Sequence, residues 1–587
     1  MRAANKVQPL SSLRQTITGR ESGLAYQEVP LPDQAPQRHG VIDRILADAD
    51  AAGPAADIAA AALKNAPVEE IEQRDPQAVL AMLRALMRFG DEKPSGAPAV
   101  RLFNPDPGSD GYATQHTVLE IVNDDMPFLV DSVTGALNRN DIRVHLVLHP
   151  ILEVFRAEDG RIEDLRPRRD GTPPGAARES FIHIEIDRIT AADAMQQLRL
   201  EVETTLGDVR AAVGDWPAML SRVDSAVAET KASAVPTGEE SRLEAVALLR
   251  RMKDDLFTFL GYREYALAEP MTVADDPDGV DAPAQAANEQ RLETGGLEVV
   301  SGAGLGVLRD DAFHVFDGLR HLDIQESGAR AFIRVPEVLL LTKSSRIATV
   351  HRPVLMDAIG VRRFNNQGQV VGLRLFVGLF TSVAYQVTPD QIPYLRRKVA
   401  YVIESAGFST ADHAGKALTH ILNSYPRDEL FQIDRHTLYE HAMGILNLQE
   451  RQRVALFLRR DPLERFVSAL VFVPRERYDS TVRRRLQAVL EDGLNARSSV
   501  HYTTLDDSPL ARVLYVLRTG RDAPPAMDPD ELEGAVRDAA RAWVDKLQDA
   551  LIAAHGEERG VHIFHRYRDA FPASYQERFW ASEAVDD

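Results

Sequence analysis

Chemistry on a dinucleotide needs a glycine-rich turn between a strand and a helix, because glycine lets the backbone close on a pyrophosphate and the helix N-terminus then faces the charge. The stretch Leu297 to Val307 offers Gly302, Gly304 and Gly306. Their spacing is G-x-G-x-G rather than G-x-G-x-x-G, and Asp310 to Phe316 reads as turn and strand, not as the helix such a site requires. The stretch is therefore read as a structural turn, and no cofactor-binding residue is assigned. His145 and His149 share a strand face by their even spacing, and His183 lies on a further strand, so the three could converge on a metal. No acidic ligand is placed with them, and packed or hydrogen-bonded histidines are the simpler reading, so no metal is expected. Lys343, Arg346, His351 and Arg352 form a basic cluster that could meet an anion, but a strand edge or an inter-domain salt bridge accounts for it as well. The chain has no cysteine, which removes thiolate catalysis, iron–sulfur clusters and cysteine-based zinc sites. No catalytic residue emerges.

The elements that must position these residues follow from hydrophobic periodicity. Residues 1–40 are polar and proline-containing and read as a flexible arm, and 41–99 read as a helical segment. In 100–225, strands at His116 to Asn123, Val144 to Phe155 and Phe181 to Asp187 alternate with helices at Phe128 to Asn140 and Ala191 to Val213. That βαββα order predicts a ferredoxin-like unit with helices on one face of an antiparallel sheet. Residues 240–408 read as a mixed α/β module, opened by a helix over Leu243 to Phe259 and interrupted by an acidic insert near Pro270 to Glu293. Strands at Val338 to Leu341, Gly360 to Phe364 and Val370 to Phe380 follow, the last two joined by the turn Asn365-Asn366-Gln367-Gly368, and a helix over Pro389 to Ala406 closes the module. A helical connector is predicted at 409–450, a second sheet unit of two strands, a helix and two strands at 451–520, and a helical segment at 521–587 whose end at Asp587 carries no cap and reads as a truncation. The fold class is α+β, multidomain.

With 587 residues, 44% hydrophobic and 27% charged, the chain holds several separate cores and no apolar run long enough to span a bilayer. A formal charge of −20 repels phosphate backbones, so neither nucleic acid nor membrane is expected as a partner. Nothing at the start resembles a secretory signal, and the expected location is cytoplasmic.

The run Ile121 to Ser132, with Asn123-Asp124-Asp125-Met126-Pro127-Phe128 at its centre, resembles the large NAD-specific glutamate dehydrogenases. So do His145 to Pro150, Phe257 to Tyr265, Leu341 to Ser344, Val350 to Pro353, Gly378 to Ser382, Arg396 to Lys398, Tyr425 to Phe431 and Arg465 to Ser468, in the same order along the chain. The resemblance implies ACT-like units at 100–225 and 451–520, a PAS-like module at 240–408 and helical motifs, all preceding a catalytic domain that this chain would lack. It implies a full-length enzyme that oxidises L-glutamate with NAD to 2-oxoglutarate and ammonium, and a homo-oligomer, a tetramer, whose partners are the rest of the polypeptide and the other subunits. The lysines near glycine-rich turns that such an enzyme needs are not found; Gly295-Gly296 has no lysine beside it.

Asn123, Asp124, Asp125, Met126 and Phe128 hold the place of the ACT ligand loop, between the first strand and first helix, where an amino-acid effector could meet backbone N–H groups and a carboxylate. Many ACT sites carry glycine where this chain has Phe128, which favours the simpler reading of Asp125 as a helix N-cap. Two functions are thus open. One is a regulatory and oligomerisation portion of the dehydrogenase; the other is a free-standing amino-acid sensor.

Overall fold

The computed structural model describes residues 54–271 apart from 65, 67–69, 72–73, 169–170, 234 and 236–237, then 297–311, 313, 315, 337–519 apart from 410, 449–452, 464 and 506–507, and 526–587 apart from 542 and 577. The arm at 1–40, most of the acidic insert and Gly295-Gly296 lie outside the described residues.

The first unit opens with α1 (Pro54–Leu63) and α2 (Pro76–Phe89), then β1 (Ala99–Phe103), β2 (Thr117–Asp124), α3 (Leu129–Arg139), β3 (Val144–Leu148), β4 (Ile151–Arg156), β5 (Ile162–Pro167), β6 (Ala177–Ile186) and α4 (Ala192–Gly214). The sheet order is β1-β2-β6-β4-β5, with β3 also on β6, and all pairings are antiparallel. The predicted single strand Val144 to Phe155 is two strands, β3 on the C-terminal half of β6 and β4 on its N-terminal half. Pro150 lies at the break; a proline has no N–H to give to the ladder. Strand alternation sends Leu119, Ile121, Ile182, Ile184 and Ile186 toward α3 and α4, and sends Val122 and Phe181 toward Leu86 and Phe89 of α2. Helices thus cover both faces.

The middle unit begins with α5 (Trp216–Ala232) and α6 (Gly238–Arg251). The helix expected to run on to Phe259 gives way to a π turn over Met252–Leu256, and Phe257 opens β7 (Phe257–Met271). Cross-strand aromatics decide this, since Phe257 pairs with Phe380 and the rings of Phe259 and Phe376 meet edge-on at 5.7 Å. Then come β8 (Leu297–Val299), β9 (Leu305–Gly306), β10 (Leu339–Ile347), β11 (Leu355–Phe364), β12 (Val370–Phe380) and the short α7 (Ser382–Gln386). The order β10-β11-β12-β7-β8, with β9 on β7, puts the first and last long strands side by side at the centre. The β11–β12 turn forms as read, with Asn365 Oδ1 accepting from the N–H of Gln367 and Gln369 and with Gly368 at φ 76°.

The helix read over Pro389 to Ala406 is split into a 3-10 turn at Pro389–Gln391 and α8 (Leu395–Ala406). The carboxylate of Glu244 on α6 accepts from the Tyr394 N–H and from Arg396, which holds Tyr394 at φ 72° and stops helix propagation. The connector contributes α9 (His413–Ser424), α10 (Arg427–Gln432) and α11 (Arg435–Leu448). The third unit is β13 (Ala455–Arg460), β14 (Phe466–Pro474), α12 (Ser480–Gly493), β15 (Ala496–Thr504), β16 (Leu510–Thr519) and α13 (Pro529–Ala539). Its sheet order β13-β14-β16-β15 matches β1-β2-β6-β4 of the first unit; after the edge strand the third unit runs βαββα, whereas the first has four strands, β3 to β6, between its two helices. The chain closes with α14 (Trp543–His555), α15 (Glu557–Tyr567) and α16 (Ala573–Gln576) around a small aromatic cluster.

One apolar cluster runs unbroken from Leu119 in the first sheet through the middle unit and connector to Leu514 in the third. Where the long strands β7 and β12 meet, a Cβ on Gly378 would lie 2.0 Å from the carbonyl oxygen of Thr258 and 2.6 Å from the Phe257 ring. Gly378→Ala is therefore expected to destabilise the chain by about 1–3 kcal/mol or more, read as a lower midpoint in chemical denaturation.

Candidate functional site

The loop between β2 and α3 is where the sequence places a ligand, and its polar groups are already engaged. Arg210 of α4 donates to Asp124 Oδ2 and Asn123 Oδ1, each at 2.6 Å. Lys93 Nζ lies 2.8 Å from Asp124 Oδ1, and Ser180 donates to Asp125 Oδ1 at 2.9 Å. Burial alone would raise Asp124, but Lys93 and Arg210 outweigh it and hold the carboxyl below the usual range. Asp125 is not the N-cap. That place falls to Phe128 at φ 73°, whose carbonyl accepts from the Ser132 N–H at 3.0 Å and from its hydroxyl at 2.5 Å. Met126 and Phe128 pack against the main apolar cluster.

A loop of the middle unit lies against the same helix end. His351 donates its N–H to Ser132 Oγ at 2.9 Å, its ring sits 5.0 Å from the Phe128 ring, and its Nδ1 is 3.3 Å from Asp131 Oδ2 without the alignment of a hydrogen bond. The imidazole beside Asp131 holds that carboxyl below its ordinary range. Thr349 donates to Asp208 of α4 at 2.7 Å.

The basic cluster of the sequence does not gather around one anion. Lys343 on β10 pairs with Asp357 at 2.6 Å and approaches Asp428 at 3.5 Å, while Arg352 donates to the Phe380 carbonyl at 2.8 Å and Arg346 lies over the Phe313 ring. Burial, with Asp428 nearby, pushes Asp357 up to about 6 despite the Lys343 ammonium. Beside this group Arg465 of the third unit holds Asp461 through two nitrogens at 2.7 and 2.9 Å and reaches back to Thr342 Oγ1 and the Lys343 carbonyl, both at 2.7 Å. Arg459 clasps Glu429 of α10 at 2.7 and 3.0 Å, fully buried. Lys398 sends its ammonium to the carbonyls of Leu430, Phe431 and Ile433. This is the joint of β10, the connector and the third sheet.

The glycine-rich turn is held from beneath. The buried guanidinium of Arg263 donates to the carbonyls of Leu308, Asp310 and Phe313, and Asp215 accepts from the Gly306 N–H at 2.8 Å. A Cβ on Gly304 would lie 2.2 Å from the Leu308 carbonyl oxygen and one on Gly306 2.1 Å from that of Leu260. These glycines permit close backbone packing, and the described residues after Gly306 are turn and bend, with no strand among those described in Asp310 to Phe316.

The three histidines do not converge. His145 stacks on His116 at 4.1 Å and meets Asp187 at 2.8 Å, and His149, half-buried, lies just past the end of β3. His183, wholly buried, stands between Glu120 at 3.1 Å and Glu185 at 3.9 Å. Glu120 takes Arg101 at 2.6 Å, and Glu185 takes Arg74 at 2.6 and 2.8 Å. Glu179 on the same strand face takes Arg156 at 2.8 and 2.6 Å. Among the described residues, no group of three or more acidic or histidine side chains is arranged to hold a metal. Sequence reasoning missed this network, although the even spacing of Glu179, His183 and Glu185 on β6 is a visible signal of one charged sheet face.

Four family models match the chain in order: the ACT1 domain of glutamate dehydrogenase at residues 58–202, its helical motif 1 at 392–451, its ACT2 domain at 455–544 and its helical motif 2 at 550–587. The NAD-specific glutamate dehydrogenase of Halomonas elongata is 36% identical over 522 residues, covering 89% of this chain and 31% of that protein. Its namesake from Pseudomonas aeruginosa is 33% identical over 86% of this chain and 30% of its own length, and that from Mycobacterium tuberculosis 26% identical over 86% and 29%. The chain spans about 30% of the length of these relatives.

The network under β6 sets a pH dependence. Burial would raise Glu185, but hydrogen bonds from Arg74 and His183 overcome it and lower its pKa from 4.5 to about 2. Its stabilisation is thus complete above pH 4.5 and is lost as pH falls toward 2. Arg74→Ala leaves a buried carboxylate without its main partner and is expected to cost roughly 3–5 kcal/mol near neutrality. Chemical denaturation at neutral and acid pH checks this, because the gap between the two proteins should narrow on acidification.

Proposed function

We propose that this chain is the regulatory and assembly portion of a large NAD-specific glutamate dehydrogenase, the family that the four domain models and the curated relatives support. The observation that carries the reading is where the family-like runs lie. Pro127 to Ser132 faces Val350 to Pro353, and Leu341 to Ser344 meets Tyr425 to Phe431 and Arg465. These runs sit at joints between units, where they fix geometry, instead of lining one catalytic pocket. On this reading the full enzyme oxidatively deaminates L-glutamate to 2-oxoglutarate and ammonium with NAD, in a part of the polypeptide other than these residues. We read the middle unit as PAS-like, which its central pairing of first and last strands supports. The partners are the rest of the dehydrogenase and other subunits, as a cytoplasmic homotetramer. An amino-acid effector is proposed to act at Asn123, Asp124, Asp125, Met126 and Phe128.

The purified chain should form no NADH from glutamate and NAD and give no heat on titration with NAD, while an amino acid from a panel should give heat. Glutamate-dependent NADH formation by this chain would overturn the proposal. Light scattering on the same sample reads the assembly, with a tetramer expected.

A further inference from the structure

Phe128 and His351 face each other across the contact between the first and middle units, and both have positive φ, 73° and 69°. An L-residue there costs of order 1 kcal/mol or more and persists only where the surroundings over-determine it. The surroundings do so here. Phe128, Asp131, Ser132 and Gly135 are spaced i, i+3, i+4 and i+7, so they share one face at the start of α3. The whole of that face receives the segment Thr349 to Pro353. The His351 ring lies by Phe128, its Nδ1 by Asp131, its N–H on Ser132 Oγ, and Pro353 sits where a Cβ on Gly135 would be 3.5 Å from its ring. Ser132 acts in both directions, accepting from His351 and donating to the Phe128 carbonyl. Thr349 fastens the other end of the segment to Asp208 on α4, and Val350 between them is completely buried.

We propose that Thr349 to Pro353 is a latch that locks the middle unit onto the first sheet unit, with the His351 side chain as a built-in occupant at the start of α3. A small molecule reaches this face of α3 only when the latch is out, so ligand access and docking of the units exclude one another. The proposal rests on this geometry and stands whether or not the chain is part of a dehydrogenase.

Replacing His351 by glycine isolates the ring, because glycine adopts φ 69° without strain and leaves the backbone N–H in place. In the full chain, His351→Gly is expected to speed amide exchange over residues 128–135 and 349–352 by about tenfold, the scale of one lost contact of 1–1.5 kcal/mol. Millimolar imidazole should slow it again by refilling the space, with no effect on the unaltered chain. Gly135→Leu, which wedges Pro353 away, should speed the same exchange without any response to imidazole. Unchanged exchange in His351→Gly, or accelerated exchange that imidazole does not slow, would overturn the proposal. Should His351→Gly not fold, Ser132→Ala tests the same contact, and unchanged exchange there would count equally against it.

Discussion

Charge carried into a joint between packed units must meet its counter-charge there, and this requirement governs how the units of the chain sit together. Arg465 and Asp461, Arg459 and Glu429, and Lys343 with Asp357 are all almost fully withdrawn from solvent. A buried ion left single costs several kcal/mol, whereas the pair as a whole adds little net stability. Their effect is selective. Any docking of the third unit that shifts Arg465 away from Thr342 and the Lys343 carbonyl leaves unsatisfied N–H groups inside the protein. The apolar cluster from Leu119 to Leu514 supplies the driving force for close packing, and the charged clasps restrict it to one register.

The first and third units share a strand order, yet they attach to that common cluster by opposite faces. In the first, the helix-bearing face with Leu129, Val133, Ile182 and Ile184 joins the cluster, and the other face is roofed by α1 and α2. In the third, the helices α12 and α13 close over a core of their own, and the open sheet face with Leu470, Phe472 and Leu514 joins the cluster. The same topology therefore has different neighbours at its first strand–helix junction in the two units, and that difference follows from which face is apolar enough to be covered.

Much of this fold is legible in the sequence because its sheets have one apolar face with a period of two. The Asn365 to Gly368 hairpin, the strand β12 and the C-terminal half of β11 are read directly from that period, whereas the βαββα reading merges β3 with β4 and omits β5. Readings failed where a distant residue decides the local outcome. Phe257 to Phe259 has helical spacing but is drawn into a strand by Phe376 and Phe380, and Tyr394 breaks a helix because Glu244 grips its N–H. The even spacing on β6 marks His183 and Glu185 as sharing one face, and nothing local shows that α1, α2 and Arg74 seal it. The ligand loop is visible as a position. Its occupancy is not, since Asp124 is neutralised by Arg210, 86 residues on, and Ser132 is met by His351, 219 residues on.

The two strand–helix junctions also differ in how they satisfy the first N–H groups of the helix, and this bears on where a regulatory ligand could act. At α12 the side chain of Asp479 accepts from Thr481 and Val482 at 2.8 and 2.7 Å, an N-cap supplied from the chain's own next residues. At α3 the cap position is Phe128, whose side chain can accept nothing, and the helix start is instead packed under a segment from another unit. A cap made locally stays made whatever the neighbouring units do. A helix start covered by a distant segment changes its surroundings when that segment moves, so of the two junctions only the one at α3 can link local binding to the arrangement of units. Such a link becomes allostery once the two events share a measurable coupling free energy, and the contacts of Ser132 and Asp131 with His351 are where that energy would reside.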